Sequence, residues 1–195
     1  MERIGCVVMA AGNARRFESN KLAAEFDGKP LIRHALEAVP QAMETVVVTQ
    51  YPQVARMAEE FGFACVENPH PDWGISYTIR LGTRQLSHCD AIVYLVSDQP
   101  MLKRASVEAV AETWRKNPDK IVGLGHGGKR GNPCIFPKKF YPELMELEED
   151  AGGNTVIRRH LQDLLLVEAG RLELTDVDTP KALEDLRQQA QKRPQ

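Results

Sequence analysis

Three short stretches carry the residue types that could manage phosphate chemistry. The first is Val8 to Lys21, VMAAGNARRFESNK, in which two alanines and a glycine precede Arg15, Arg16 and Lys21. Small residues such as Ala10, Ala11 and Gly12 let a ligand lie close to the backbone, whose N–H groups can meet phosphate oxygens or the edge of a base. Arginine adds a planar fork for phosphate and lysine a mobile point charge. The second is Ser97-Asp98-Gln99-Pro100 and the third Asp176-Val177-Asp178-Thr179-Pro180. A carboxylate is a hard oxygen ligand, and Mg²⁺ takes one or two of them while keeping waters and phosphate oxygens. Taken singly, the first stretch is also compatible with a solvated basic turn and the other two with turn and helix-cap residues. Taken together they suit a metal-bound triphosphate.

The elements around these stretches must bring them to one place. Ile4 to Met9 is an apolar run ending at Gly12, as expected for a strand buried on both faces. Thr45 to Thr49, Phe63 to Val66, Ala91 to Val96 and Lys120 to Leu124 are predicted as further strands. Between them, helical spacing is predicted from Pro30 to Val39, Val54 to Phe61, Ile75 to Leu86 and Ala105 to Trp114. This alternation indicates βαβ units and a mostly parallel sheet covered by helices. Beyond Pro133 the pattern loosens: a strand at Cys134 to Phe136, helices at Tyr141 to Leu147 and Asn154 to Leu161, and a strand at Leu164 to Val167. Thr179 and Pro180 form a cap and first turn for a last helix to about Gln191. The polar end, 188–195, is expected to fray. Ligands bind outside the carboxyl ends of strands in such sheets, which directs attention to residues 10–21, 97–101 and 123–132.

The bulk properties exclude several classes. The chain has 195 residues, enough for one domain, 1–195, with a sizeable core. A net charge of −2 argues against a nucleic-acid binder. The four cysteines form no CxxC pair, which fits reduced thiols in a cytoplasmic protein rather than a zinc site. No apolar run approaches the ~20 residues that span a bilayer, and the N-terminal run is short for a signal peptide. A cytoplasmic protein without membrane contact is expected.

At this point the motifs resemble those of the MobA-like nucleotidyltransferases and, within them, the molybdenum cofactor cytidylyltransferases. The family's first motif, A-[AG]-G-x-S-x-R-x-G-x-x-K, maps to Ala10, Ala11, Gly12, Arg16 and Lys21, with Ala14 and Glu18 in place of serine and glycine. Asn68-Pro69 and Gly74 to Gly82, containing Ser76 and Arg80, are similar to a segment beside the nucleotide. Ser97 to Pro100 is similar to G-D-x-P, with Ser97 for glycine. Gly131-Asn132-Pro133, Asp150-Ala151-Gly152 and Arg158-Arg159-His160 are similar to the acceptor side, and Asp176 to Pro180 to D-[IV]-D-T-P.

The resemblance implies a three-layer Rossmann-like α/β nucleotidyltransferase fold with a mostly parallel, mixed sheet. It implies transfer of CMP from CTP to the terminal phosphate of molybdopterin or molybdenum cofactor, with release of pyrophosphate. Ala10, Ala11, Gly12, Arg16, Lys21, Ser76 and Arg80 would bind nucleotide, and Asp98 and Asp178 would bind Mg²⁺. Arg16, Lys21 and Asp98 would be catalytic, and Asn132, Pro133 and Arg158 would meet the acceptor. The base assignment rests on Ala11. A molybdenum hydroxylase is an implied partner. Two alternatives stay open: a related enzyme using GTP or a sugar phosphate, and a non-catalytic cofactor carrier.

Two motifs mislead. Gly123 to Arg130 contains GxGxxG and nearly spells GxxxxGK[ST], but an apolar strand follows instead of a helix, and Arg130 stands where the second pattern needs Ser or Thr. A mobile loop over the acceptor or a plain glycine-rich connection is expected there. Trp73 is a candidate for stacking on a pterin or base, whereas Trp114 fits a core position.

Overall fold

The structure is a computed structural model that describes residues 2–12 and 21–191. Its centre is a seven-stranded sheet of order β5-β4-β1-β6-β8-β7-β9. The strands are β1 (Ile4–Ala10), β4 (Glu44–Thr49), β5 (Ala64–Glu67), β6 (Ala91–Val96), β7 (Ile121–His126), β8 (Lys129–Pro137) and β9 (Leu164–Glu168). Two short strands, β2 (Glu25–Phe26) and β3 (Lys29–Pro30), form a separate ladder. The helices are α1 (Leu31–Ala38), α2 (Pro52–Glu60), α3 (Ile75–Gln85), α4 (Arg104–Lys116), α5 (Tyr141–Met145), α6 (Gly153–Arg159) and α7 (Pro180–Gln191).

Strands β1, β4, β5 and β6 are parallel, as are β7 and β9, while β8 runs antiparallel to both β6 and β7. The sheet is therefore mixed, and β1 lies at its centre with apolar residues on both faces. Cys6, Val8 and Ala10 pack with Ile32 and Leu36 of α1, Val54 of α2 and Val107 of α4. Val7 joins the opposite layer with Ile79 of α3, Leu144 of α5 and Ile157 of α6. Such two-sided burial is what an unbroken apolar strand requires. Helix α7 covers a third, smaller cluster with Phe26, Leu31 and Val177.

Three expectations shift. The connection after β7, expected as a mobile loop or a plain glycine-rich connection, is a tight hairpin: His126 pairs with Lys129 across Gly127 and Gly128, whose φ angles of 55° and 77° are those a two-residue primed turn needs. Helix α7 is continuous to Gln191, so residues 188–191 are helical rather than frayed, and 192–195 lie outside the described residues. Pro30 ends β3 and leads into α1, which starts at Leu31.

Helix α3 approaches the sheet more closely than a side chain at position 82 permits. A Cβ on Gly82 would stand 2.5 Å from a methyl of Val7, inside the layer between α3 and β1. Both partners are buried, so the contact has little room to relax. Gly82→Ala is expected to lower stability by about 1–3 kcal/mol through overpacking, read as a lower midpoint in urea denaturation; an unchanged midpoint would show that α3 can move outward freely.

Candidate active site

The site begins where β1 leaves the sheet. Four consecutive carbonyls there each accept a hydrogen bond from a side chain. Ser97 Oγ donates to Met9 at 2.8 Å, Thr49 Oγ1 to Ala10 at 2.9 Å, Gln50 Nε2 to Ala11 at 2.8 Å and Tyr51 Oη to Gly12 at 3.0 Å. Beyond the last β1–β4 pair, Ala10 with Thr49, side chains thus take over from the backbone ladder. Backbone N–H groups of such a loop can meet phosphate oxygens or a base edge. Ser97, the residue that departs from the family glycine, has a structural use in this arrangement.

Lys21 lines the same cleft as Ala11 and Gly12. Its ammonium donates to Asp98 Oδ2 at 2.8 Å and to Asp178 Oδ1 at 3.1 Å. Burial pulls the Lys21 pKa down, but the charges and hydrogen bonds of Asp98 and then Asp178 outweigh it and leave the amine above its ordinary value. The two carboxylates are 80 residues apart in sequence and meet because the 176–178 segment is tied to the end of β6. Val177 N–H donates to the Asp98 carbonyl at 2.9 Å, and its side chain is fully buried in the small third core. Gln99 Nε2 donates to Asp176 Oδ1 at 2.8 Å. Burial first, and then the charge of Asp98, push the Asp176 carboxyl up, against the pull of the Gln99 amide.

Further ties fix this segment at both ends. Glu173, itself buried, accepts from the Lys103 N–H and the Ser106 hydroxyl at the start of α4. Thr179 Oγ1 accepts from the Ala182 N–H and so caps α7 as its sequence predicts. Asp98 Oδ1 is buried and meets no donor among the described residues.

Of these groups Lys21 and Asp98 line a cleft of about 440 Å³, together with Ala11, Gly12, Gly74 and Asp150. Gly74 has φ +85°, and a Cβ there would stand 2.2 Å from the Glu149 carbonyl oxygen, so only glycine fits this approach of two backbones. A second cavity of about 240 Å³ shares Met9, Ile75 and Val96 with the first. Its walls are Tyr94, Phe136 and Ile157, and its polar groups are Arg130, Asn132 and Asn154. Arg130 donates to Asn154 Oδ1 at 2.7 Å.

The structure therefore gathers Ala10, Ala11, Gly12, Lys21, Asp98 and Asp178 at the ends of β1 and β6. Arg16, with Ala14 and Glu18, lies outside the described residues. Ser76 is fully buried behind the cleft with an unpartnered hydroxyl, next to Ile75, which lines it. Arg80 faces an adjoining acidic hollow beside Glu148 and Glu149, its guanidinium 5.4 Å from the Tyr77 ring centroid. Asn132 lines the second cavity and Pro133 is buried beside it, but Arg158 is exposed on α6 and lines neither cavity. Arg130 and Asn154, which the sequence did not single out as site residues, line the second cavity together with Asn132. Only folding shows this, because their proximity depends on β8 meeting α6. Trp114 is core, and Trp73 is half exposed, stacked 4.0 Å from the His70 ring.

Comparison with known proteins adds a family. The model of the MobA-like NTP transferase domain matches residues 6–164. A probable molybdenum cofactor guanylyltransferase of Thermococcus sibiricus is 28% identical over 116 residues, 57% of this chain and 56% of its own. The chain thus spans little more than half the length of that relative. A molybdenum cofactor guanylyltransferase of a Shewanella species is 25% identical over 145 residues, 74% of this chain and 72% of its own. Among solved structures, a Methanothermobacter nucleotidyl transferase has the same fold, with TM-score 0.80 at 22% identity over 96% of this chain and 97% of that one.

The carbonyl ties differ in burial, which sets an order of cost. Thr49→Val removes a donor at a buried position and is expected to lower stability by about 1–3 kcal/mol. Tyr51→Phe removes one at the exposed end, where water can replace it, and should cost less than about 1 kcal/mol. Urea denaturation of both variants checks this; equal losses would contradict it.

Proposed function

The chain belongs to the MobA-like NTP transferase family, and from that premise we propose that it transfers a nucleotidyl group from an NTP to the terminal phosphate of molybdopterin or its molybdenum-bearing form. The observation that carries this reading is the convergence of Asp98 and Asp178 on the Lys21 ammonium, with Lys21 and Asp98 lining the same cleft as Ala11 and Gly12. The names of the relatives support the acceptor class.

The donor set fits Mg²⁺. Two carboxylates already gather round one cation, and Asp98 keeps a buried oxygen with no donor among the described residues. These are the hard oxygens that the ion takes beside phosphate. Asp98 and Asp178 are the residues that would hold it, and once bound it would supply neutralising charge to the triphosphate.

The chain's own groups do the rest. The Ala10–Gly12 backbone seats the nucleotide, and Lys21 exchanges its carboxylate partners for phosphate oxygens. An oxygen of the acceptor phosphate forms the new bond to the α-phosphorus. The bond from that phosphorus to the bridging oxygen breaks, and pyrophosphate leaves with its electron pair. Arg16 balances the charge on the leaving side. The acceptor phosphate is already anionic at neutral pH, so alignment and charge stabilisation suffice without a strong base. In keeping with this, no histidine is among the residues lining the cleft. The second cavity, apolar with three polar groups, offers the acceptor's ring system a place beside the nucleotide.

For the base we propose CTP, on Ala11, which lines the cleft and which the resemblance to the molybdenum cofactor cytidylyltransferases associates with that base. The printed names of the relatives favour GTP as the second reading. Pyrophosphate release with Mg²⁺, freshly prepared molybdenum cofactor and each of CTP, GTP, ATP and UTP separates the two. Release with CTP alone is expected, and Asp98→Ala should reduce it by about 10²–10³-fold or more while cofactor binding persists. Release with GTP alone would overturn the base assignment. Cofactor binding with no release from any nucleotide would overturn the enzymatic reading in favour of a carrier.

A further inference from the structure

At the end of the sheet away from the cleft, Glu44 opens β4, and His88 and Cys89 occupy the turn between α3 and β6. We propose that Glu44, His88 and Cys89 form a binding site for a transition-metal ion of the zinc class, separate from the phosphate cleft and structural in role. Their ligand atoms all lie within 4.8 Å of one another. His88 Nε2 and Glu44 Oε2 are already 2.8 Å apart.

Several features make this more than a chance meeting of three side chains. Strand β1 separates β4 from β6, and its Gly5 pairs with Glu44. A Cβ on Gly5 would stand 3.1 Å from Cys89 Sγ and 2.9 Å from a Leu86 methyl, so glycine keeps the space beside the sulfur open. The Cys89 backbone is anchored on both sides: its N–H donates to the Leu86 carbonyl at 2.9 Å, and its carbonyl accepts from Tyr141 Oη at 3.1 Å. The neighbouring Asp90 is committed elsewhere, accepting from the Arg3 N–H at 2.8 Å. The sulfur is thus held in place, whereas Glu44 and His88 are exposed and can turn toward it.

The donor set decides the class of ion. A thiolate, an imidazole and a carboxylate suit zinc and its first-row neighbours, while Mg²⁺ prefers oxygen alone. Tetrahedral zinc bonds of about 2.0–2.3 Å set donor atoms roughly 3.3–3.6 Å apart. His88 and Glu44 must therefore part slightly from 2.8 Å, while the pair and the sulfur close any separation of up to 4.8 Å, a movement within reach of the two exposed side chains. The exposed side leaves a fourth position for water. On coordination the Cys89 thiol releases its proton to solvent and the sulfur bonds as thiolate. The bound ion would tie the start of β4 to the turn before β6, across β1, and so brace the sheet end opposite the reaction. This inference does not depend on the proposed function.

The test uses Co²⁺ as a visible substitute for Zn²⁺, added to the full-length protein in the presence of excess Mg²⁺. One equivalent is expected to produce a near-ultraviolet thiolate-to-cobalt band, with visible bands of four-coordinate cobalt, and Zn²⁺ should abolish both. Cys89→Ser should remove the charge-transfer band. His88→Gln, an exposed change that leaves all four cysteines, should weaken Co²⁺ binding by about tenfold or more. Zn²⁺ should raise the thermal midpoint of the wild type and not of His88→Gln. Absence of the band in the wild type, or an undiminished band in His88→Gln, would overturn the proposal.

Discussion

Two carboxylates held close together in a partly buried site repel one another unless a cation stands between them, and the arrangement of this cleft follows from that constraint. Lys21 supplies the cation, 2.8 Å from Asp98 and 3.1 Å from Asp178. The three residues come from the loop after β1, the end of β6 and the segment before α7. Their meeting requires β1 and β6 to be neighbours in the sheet, Val177 to be buried under α7, and Glu173 to be held at the start of α4. Each of those is an ordinary packing or hydrogen-bonding event. Together they bring two negative charges to one positive charge at the ends of β1 and β6, the arrangement on which the proposed metal-bound triphosphate rests.

The parallel half of the sheet was legible because its strands are apolar on both faces and its helices keep a regular spacing. Strand order was less so. Nothing in the periodicity of Cys134 to Phe136 says that β8 inserts between β6 and β7 and runs against both. Glycines at 123–128 left a mobile loop and a plain glycine-rich connection both open, and the pairing of His126 with Lys129 makes the connection a hairpin, since a primed turn asks for the same residues. Alternation reveals strands; it does not say which edges meet.

The site shows the same division. Lys21, Asp98 and Asp178 could be picked out because three charged stretches, each alone compatible with a turn or a cap, occur together and in the order of one family's motifs. Thr49, Gln50 and Tyr51 could not, because a threonine, a glutamine and a tyrosine in a row are unremarkable until each is seen on a successive carbonyl of Ala10 to Gly12. Arg130 and Asn154 escaped for a related reason: 24 residues separate them, and only the packing of α6 over β8 joins them. Arg158 matched a family motif by type and order, yet its side of the helix faces outward. Ser97 departs from the motif and still serves the loop, through its bond to Met9.

In the proposed reaction, the Lys21 bridge is a resting arrangement that gives way when nucleotide and metal arrive together. The most direct measurement is a crystal structure with a non-hydrolysable CTP analogue and Mn²⁺, read by anomalous scattering. The account predicts an anomalous peak bound by the Asp98 and Asp178 carboxylates, the triphosphate against the Ala10–Gly12 backbone, and Lys21 moved from the carboxylates to the phosphates. A nucleotide bound with Lys21 still bridging Asp98 and Asp178, and no manganese at either carboxylate, would contradict it.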